Sequence, residues 1–344
     1  MRNTRILALL LLAACVNQPQ ENATSTGTST APHAGPVRIG FSMDTLKEER
    51  WQRDKQLIEQ RAKQVGAQLD VQVANGDDAV QTKQADNMLT KGIDVLIVAP
   101  HNGEIAASIV EAAHRKGVPV ISYDRLIRDA DEDLYISHQV VRMGQMQAEY
   151  ALQHVPKGNY VLIGGSPTDY NAILLRNGQM EILKSAIARG DIKIISDQFA
   201  REWKAEEALR LTEDALTRTG KKIDAVVASN DGTAGGAISA LEAAGLAGKV
   251  LVTGQDAQKD AIQRIVKGTQ TMTIYKPIRP LAFGAVDAAI KLTHKQPVSA
   301  PEKINNGRKD VPAILLEPIV VDKSNVDATV IKDGYHSRED IYGQ

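Results

Sequence analysis

Residues 95–125 read VLIVAPHNGEIAASIVEAAHRKGVPVISYDR, and this stretch decides the fold. Val95-Leu96-Ile97-Val98 is a short, continuous apolar run, the pattern of a strand covered on both faces. Residues 104–116 have the composition of an amphipathic helix, and Gly117 stops it. Val118-Pro119-Val120-Ile121 then supplies the next strand. A strand, a helix and a second strand in direct succession form a crossover that joins parallel strands.

The same unit repeats on both sides. Upstream lies Val37-Arg38-Ile39-Gly40-Phe41, then a helix over 48–65 with Leu57, Ile58, Ala62 and Val65 at helical spacing, closed by Gly66. A strand over 69–74 and a helix over 78–91 follow, ended by Gly92. The rhythm restarts after Ile136. Helices over 141–154, 171–188, 204–218, 232–244 and 257–266 lead into strands over 160–163, 192–195, 223–227, 250–253 and 271–275, and a last helix covers 281–293. So many strands exceed one small sheet. The expected fold is α/β, with two doubly wound lobes built on parallel sheets.

The N-terminus is of another kind. MRNTRILALLLLAAC opens with Arg2 and Arg5 and continues into an apolar stretch too short to span a bilayer. It reads as a signal peptide over 1–14. Leu12-Ala13-Ala14-Cys15 resembles a lipobox, which makes Cys15 the expected lipidation site and membrane anchor. Residues 15–35, rich in Ser, Thr, Pro and Gly, cannot bury enough surface to order themselves and read as a flexible tether.

Cys15 is the only cysteine, so neither an internal disulfide nor a thiolate zinc site can form. Lys and Arg number 41 against 42 Asp and Glu, which gives no electrostatic footprint for nucleic acid. The seven histidines are scattered, and none lies four residues from another. There is no phosphate-binding loop, no dinucleotide fingerprint and no nucleophile elbow. Neither a metal nor a cofactor is expected.

Ligands of open parallel sheets bind outside the carboxyl ends of the strands. The residues that follow each expected strand are Arg50 and Trp51; Asp124 and Arg125; Asp169 and Asn171, with Arg176 further on; Trp203; Asn230 and Asp231; Asp256; and Lys276. Hydroxyls both donate and accept, so carboxylates, amides and guanidinium groups can pair with them from fixed directions. Tryptophan offers an apolar ring to the C–H face of a pyranose. The plainer alternatives are helix caps for the Asp and Asn residues, core packing for the tryptophans and surface ion pairs for Arg and Lys. The charged neighbours of Trp51 and Trp203 argue against simple core positions.

Several stretches carry a resemblance: Glu49-Arg50-Trp51-Gln52, Ala74-Asn75-Gly76, Tyr123-Asp124-Arg125, Gly164-Gly165-Ser166-Pro167, Ala228-Ser229-Asn230-Asp231, Gly254-Gln255-Asp256-Ala257 and residues 268–273. They resemble the ribose-type, class I, periplasmic binding proteins of ABC importers, and within them the D-xylose binders, from about residue 37 to residue 335. The resemblance implies a three-strand hinge, with crossings near Ser137-His138, Lys276-Pro277 and Leu316-Glu317. The implied lobes are 36–137 plus 277–316, and 138–276 plus 317–344. The implied sugar-binding residues are Arg50, Trp51, Asp124, Arg125, Asn171, Arg176, Trp203, Asn230, Asp256 and Lys276. The implied partners are a monosaccharide, D-xylose first, and an ABC permease, with the protein a monomer outside the cytoplasmic membrane. Ser137-His138-Gln139 departs from the aromatic-Asp-Asn of the family at the first crossing.

A sensory receptor of the same fold has the same site and stays open as an alternative. A sugar-modifying enzyme needs a paired acid and base, and Asp124 with Asp256 are the only candidates. A sugar-responsive repressor needs an N-terminal DNA-binding domain, where this chain has a signal and tether.

Overall fold

The computed structural model describes residues 35–343; the signal, Cys15 and all of the tether except Gly35 lie outside the described residues. Strands β1 (Arg38–Met43), β2 (Gln68–Val73), β3 (Val95–Ala99), β4 (Val120–Tyr123) and β5 (Leu134–His138) alternate with helices α1 (Glu49–Gln64), α2 (Asp78–Thr90) and α3 (Ala107–Arg115) through β4. Helix α4 (Val140–His154) then leads to β6 (Gly158–Gly164), α5 (Tyr170–Ala188), β7 (Ile192–Phe199), α6 (Ala205–Thr219) and β8 (Ala225–Ala228). The chain continues through α7 (Asp231–Ala243), β9 (Leu251–Val252), α8 (Lys259–Lys267), β10 (Met272–Tyr275) and α9 (Ile278–Thr293). It closes with β11 (Glu302–Asn305), β12 (Asp310–Leu316), β13 (Ile319–Asp322) and α10 (Arg338–Tyr342).

Two parallel sheets result. One has the order β11-β12-β5-β4-β3-β1-β2, with only β11 antiparallel to its neighbour, and the other has the order β7-β6-β8-β9. The chain leaves the first sheet after β5, returns to it through α9, and leaves again after β12, when β13 pairs antiparallel with β10.

Alternation along each strand divides the core. In β3, Val95 and Ile97 pack under α1 and α9, whereas Leu96 and Val98 pack under α2 and α3. In β6, Val161 and Ile163 face α6 and α7, whereas Tyr160 and Leu162 face α4 and α5. Both faces are therefore covered, which is why the strands read as unbroken apolar runs. Each fully buried Val, Leu or Ile stabilises the fold by about 1.5–3 kcal/mol. Helices α4 and α5 cross closely at Gly178, where a Cβ would lie 2.0 Å from the Val141 carbonyl. That crossing fixes the N-terminal end of α5, which carries Asn171.

Element bounds move by a few residues from the sequence reading, as at α3, which begins at Ala107, and β7, which runs on to Phe199. The fourth strand begins at Val120, two residues late, because Pro119 accepts from Leu96 N at 3.0 Å but has no N–H to donate. The last long helix begins at Ile278, since Pro280 in its first turn needs no donor. Strands β5, β11, β12 and β13 have no counterpart in the local sequence pattern, although the hinge crossings that the resemblance implies fall at the ends of β5 and β12. Pro312 interrupts the pattern of β12, and it lies just before the pairing with β5 begins at Ala313↔Tyr135.

The turn between β11 and β12 is tied down through Asn306. Its Nδ2 donates to Ala130 O at 2.9 Å and to Glu132 Oε2 at 2.8 Å, and its Oδ1 accepts from the N–H groups of Arg308 and Lys309. Glu132 is fully buried, and burial pushes its carboxyl up to about 7 against the pull of Asn306. A native pKa above the unfolded value of about 4.5 means the folded state binds the proton more tightly. The stability this group contributes is complete below pH 4.5 and is lost as pH rises to about 7. Glu132→Gln should therefore gain stability over the native protein at pH 8 more than at pH 5, read from urea midpoints. An offset independent of pH would contradict this.

Candidate functional site

The carboxyl ends of both sheets meet at one cleft. In the first sheet the order β2-β1-β3-β4-β5 reverses between β1 and β3, and in the second β7-β6-β8-β9 reverses between β6 and β8. The loops at such reversals are where ligands bind in open α/β sheets.

From the first sheet, α1 delivers Arg50 and Trp51, and the loop after β4 delivers Asp124 and Arg125. Arg50 bonds Asp54 at 3.0 Å through Nε and Asp124 Oδ2 at 2.6 Å through Nη1. Tyr123 donates its hydroxyl to the second oxygen of Asp54. Trp51 packs in the core and supports the guanidinium groups of Arg50 and Arg125, 4.2 and 5.2 Å from its ring. Arg125 Nη1 bonds Asp44 at 2.7 Å, and the other oxygen of Asp44 is 2.9 Å from His101 Nδ1. Burial alone would raise the Asp44 pKa, but His101 and Arg125 bring it down to about 2.

From the second sheet, Asp169 caps α5, accepting from Asn171 N, while its other oxygen binds Arg125 Nε at 2.9 Å and Trp203 Nε1 at 3.2 Å. Asn171 Nδ2 donates to the Asp124 carbonyl at 3.0 Å. The indole of Trp203 lies against Gly165, where a Cβ would come 2.1 Å from the ring; the Gly164-Gly165 pair thus makes room for two aromatic rings, that of Phe199 at the end of β7 and that of Trp203 beyond it. Asn230 caps α7, its Oδ1 accepting from Thr233 N at 2.9 Å, which leaves Nδ2 for other partners. Asp231 lies behind, accepting from Gln270, Thr273 and Gln258 N, and burial pushes its carboxyl up to about 7 against Arg264.

Lys276 joins the two sides. Its ammonium is 2.9 Å from Asp256 and 3.7 Å from Asp124. Burial of Asp124 by itself raises its pKa, yet Arg50 and Lys276 hold it well below the usual carboxylate range. It stays ionised, which is wrong for a general acid. Asp124 and Asp256 both occupy the left-handed region, at φ 63° and 97°. Such backbone strain concentrates at functional sites.

Nine of the ten residues expected at the site line this cleft. Arg176 does not: its guanidinium bonds Gln179 at 2.9 Å and Asp197. Three lining residues were outside the expected set, namely Glu48, Asp169 and Gln255. Asp169 was visible as a strand-end residue, and Gln255 adjoins Asp256 in a quoted stretch. The lining cations Arg50, Arg125 and Lys276 face four carboxylates, so nothing here favours an anionic ligand. Three buried acceptors on the lining residues lack a partner: Glu48 Oε2, Asn171 Oδ1 and Gln255 Oε1. Beside the cleft His138 is fully buried, and burial with Lys276 lowers its pKa to about 3, so its ring is neutral at pH 7. Among the described residues no group of three or more His, Cys, Asp or Glu is placed to hold a metal, and no helix is long and apolar enough to cross a membrane.

Residues 39–297 match the family described as the periplasmic binding protein domain. The chain belongs to the periplasmic binding proteins, in their ribose-type, class I form. It is 50% identical over 314 residues to the D-xylose-binding periplasmic protein of Haemophilus influenzae, with 91% of this chain and 95% of that one covered. Its identity to the D-xylose-binding periplasmic protein of Escherichia coli is 49% over 314 residues, with the same coverage of 91% and 95%. A solved structure of a carbohydrate transporter solute binding protein from Chloroflexus aurantiacus, in complex with D-glucose, has a TM-score of 0.85 at 33% identity, covering 89% of this chain and 98% of that one. These relatives are binding proteins, and this chain is a binding protein and not an enzyme.

Proposed function

We propose that this chain is a sugar-binding lipoprotein outside the cytoplasmic membrane that captures D-xylose or a close aldose by closing its cleft and delivers it to an ABC permease. The observation that carries the reading is the unpaired, buried oxygens of Asn171 and Gln255 beside the carboxylates of Asp124 and Asp256. Together they ask for a neutral ligand with several hydroxyl donors, because a buried acceptor left without a donor costs about 1–3 kcal/mol. The relatives that bind D-xylose support the choice of sugar.

In this reading the jaws are residues 36–137 plus 277–316, and residues 138–276 plus 317–344. Arg50, Trp51, Asp124 and Arg125 belong to the first jaw; Asn171, Trp203, Asn230, Asp256 and Lys276 belong to the second. A sugar that touches both sets favours the closed state through its differential contacts. Hinge closure around a ligand is the general behaviour of periplasmic binding proteins. The contacts already made across the cleft support it: Arg125 to Asp169, Asn171 to the Asp124 carbonyl, and Gly103 N to the Thr168 carbonyl at 3.2 Å. Anchoring rests on Cys15, and Cys15→Ser should move the protein from the membrane to the soluble fraction; retention in membranes at high salt would remove the anchor.

Sugar recognition is tested by thermal shift and calorimetry. A ligand that binds only the folded state stabilises it by about 2.7 kcal/mol at a hundredfold excess over Kd. D-Xylose should raise the melting temperature more than D-ribose does. Asp256→Ala should weaken D-xylose binding at least tenfold, measured below the melting transition, and should also lower the melting temperature of the sugar-free protein because Lys276 loses its 2.9 Å partner. A shift with ribose and none with xylose would reassign the sugar, and unchanged affinity in Asp256→Ala would move the site.

A further inference from the structure

Glu48 occupies the N-cap position of α1, in extended backbone at φ −78° and ψ 139°. An N-cap carboxylate ordinarily accepts from the N–H groups of the first turn. This side chain makes no such bond. The side chain is only 9% exposed, and its Oε1 is held by the Lys47 ammonium at 3.0 Å. Its Oε2 is buried and has no partner. Helix capping and ion pairing are the two ordinary uses of a glutamate here, and neither accounts for Oε2. Buried polar atoms without a partner call for an explanation. Glu48 lines the same cleft as Asp124 and Asp256, so a ligand can supply the missing donor.

We infer that Glu48 is a direct ligand of the bound sugar, its Oε2 accepting from one hydroxyl, and that Lys47 is a positioning residue that links this bond to the segment covering the cleft. The inference rests on the sugar-binding reading above. Lys47 Nζ bonds Glu48 and also donates to the Glu202 carbonyl at 2.5 Å, on the opposite side of the cleft. Glu202 and Trp203 form part of the short helical turn Arg201–Trp203, and both lie in the left-handed region, at φ 52° and 56°. Consecutive non-glycine residues stay there only when their surroundings hold them. Lys47 is one such hold, and the Asp169 bond to the Trp203 indole is another. One ammonium therefore fixes the orientation of Glu48 and clasps the strained segment that brings Trp203 to the cleft. A hydroxyl bound at Oε2 steadies Glu48, Glu48 steadies Lys47, and Lys47 keeps the segment shut.

The test uses calorimetry and stopped-flow binding with D-xylose and its four monodeoxy analogues, lacking the oxygen at C1, C2, C3 or C4. In the native protein, the analogue missing the Glu48-bound hydroxyl should bind at least tenfold more weakly than D-xylose. Glu48→Ala should weaken D-xylose at least tenfold and bind that one analogue no worse than D-xylose, while the other three keep their penalties. Glu48→Gln, which preserves size, should give the same pattern with a smaller loss. Lys47→Met should raise the dissociation rate of D-xylose and all four analogues by a similar factor. Native affinity in both Glu48 variants, or an equal loss for every analogue, overturns the assignment of Glu48 alone. A native protein that binds no aldose overturns the sugar reading and this assignment with it. A dissociation rate unchanged in Lys47→Met overturns the role of Lys47.

Discussion

The ammonium of Lys276 lies between two buried carboxylates that arrive from different sheets, Asp124 after β4 and Asp256 after β9. Each of these charges would be costly to bury alone, by several kcal/mol after relaxation. They are tolerable only together, with Arg50 and Asp54 extending the chain on the side of the first sheet. Such a chain is weak evidence for stability, since apolar replacements often do as well. What it does is fix positions: the carboxylate oxygens of Asp124 and Asp256 not engaged by Lys276 or Arg50 are held at defined places in the cleft. A second chain, His101–Asp44–Arg125–Asp169–Trp203, does the same at the other edge and ends on an aromatic ring.

Most of the architecture could be read from the sequence because both sheets are covered on both faces. Burial on two sides makes β3 and β6 continuous apolar runs, and helix-ending glycines such as Gly66, Gly92 and Gly117 mark the crossovers. Strand β5 has a weak local signal because Ser137 and His138, two of its five residues, are polar though buried, which shortens the apolar run. The strands β11, β12 and β13 are short or contain proline, and two of them pair with residues far away in the chain, so local pattern gives them little support.

The cleft was legible for a related reason. A parallel strand ends by releasing a short loop at one edge, so residues just after the strands converge whatever the loops contain. The plainer readings were also true in part. Asn230 and Asp169 cap helices and line the cleft at once, and both tryptophans belong to apolar clusters while facing it. Arg176 lies almost two helical turns into α5, where sequence distance from the strand end no longer predicts direction; it meets Gln179 and Asp197. Glu48 was hidden by its neighbours, since Lys47-Glu48-Glu49-Arg50 looks like solvated charge until burial separates Glu48 and Arg50 from the rest.

The proposed function requires that a single sugar ring be held jointly by the two carboxylates that Lys276 brings together. A crystal structure of the protein grown with D-xylose tests it most directly. The prediction is one pyranose in the cleft, with hydroxyl oxygens about 2.5–3.0 Å from both Asp124 and Asp256. A sugar bonded to residues of only one sheet, with either carboxylate beyond hydrogen-bond reach, would contradict it.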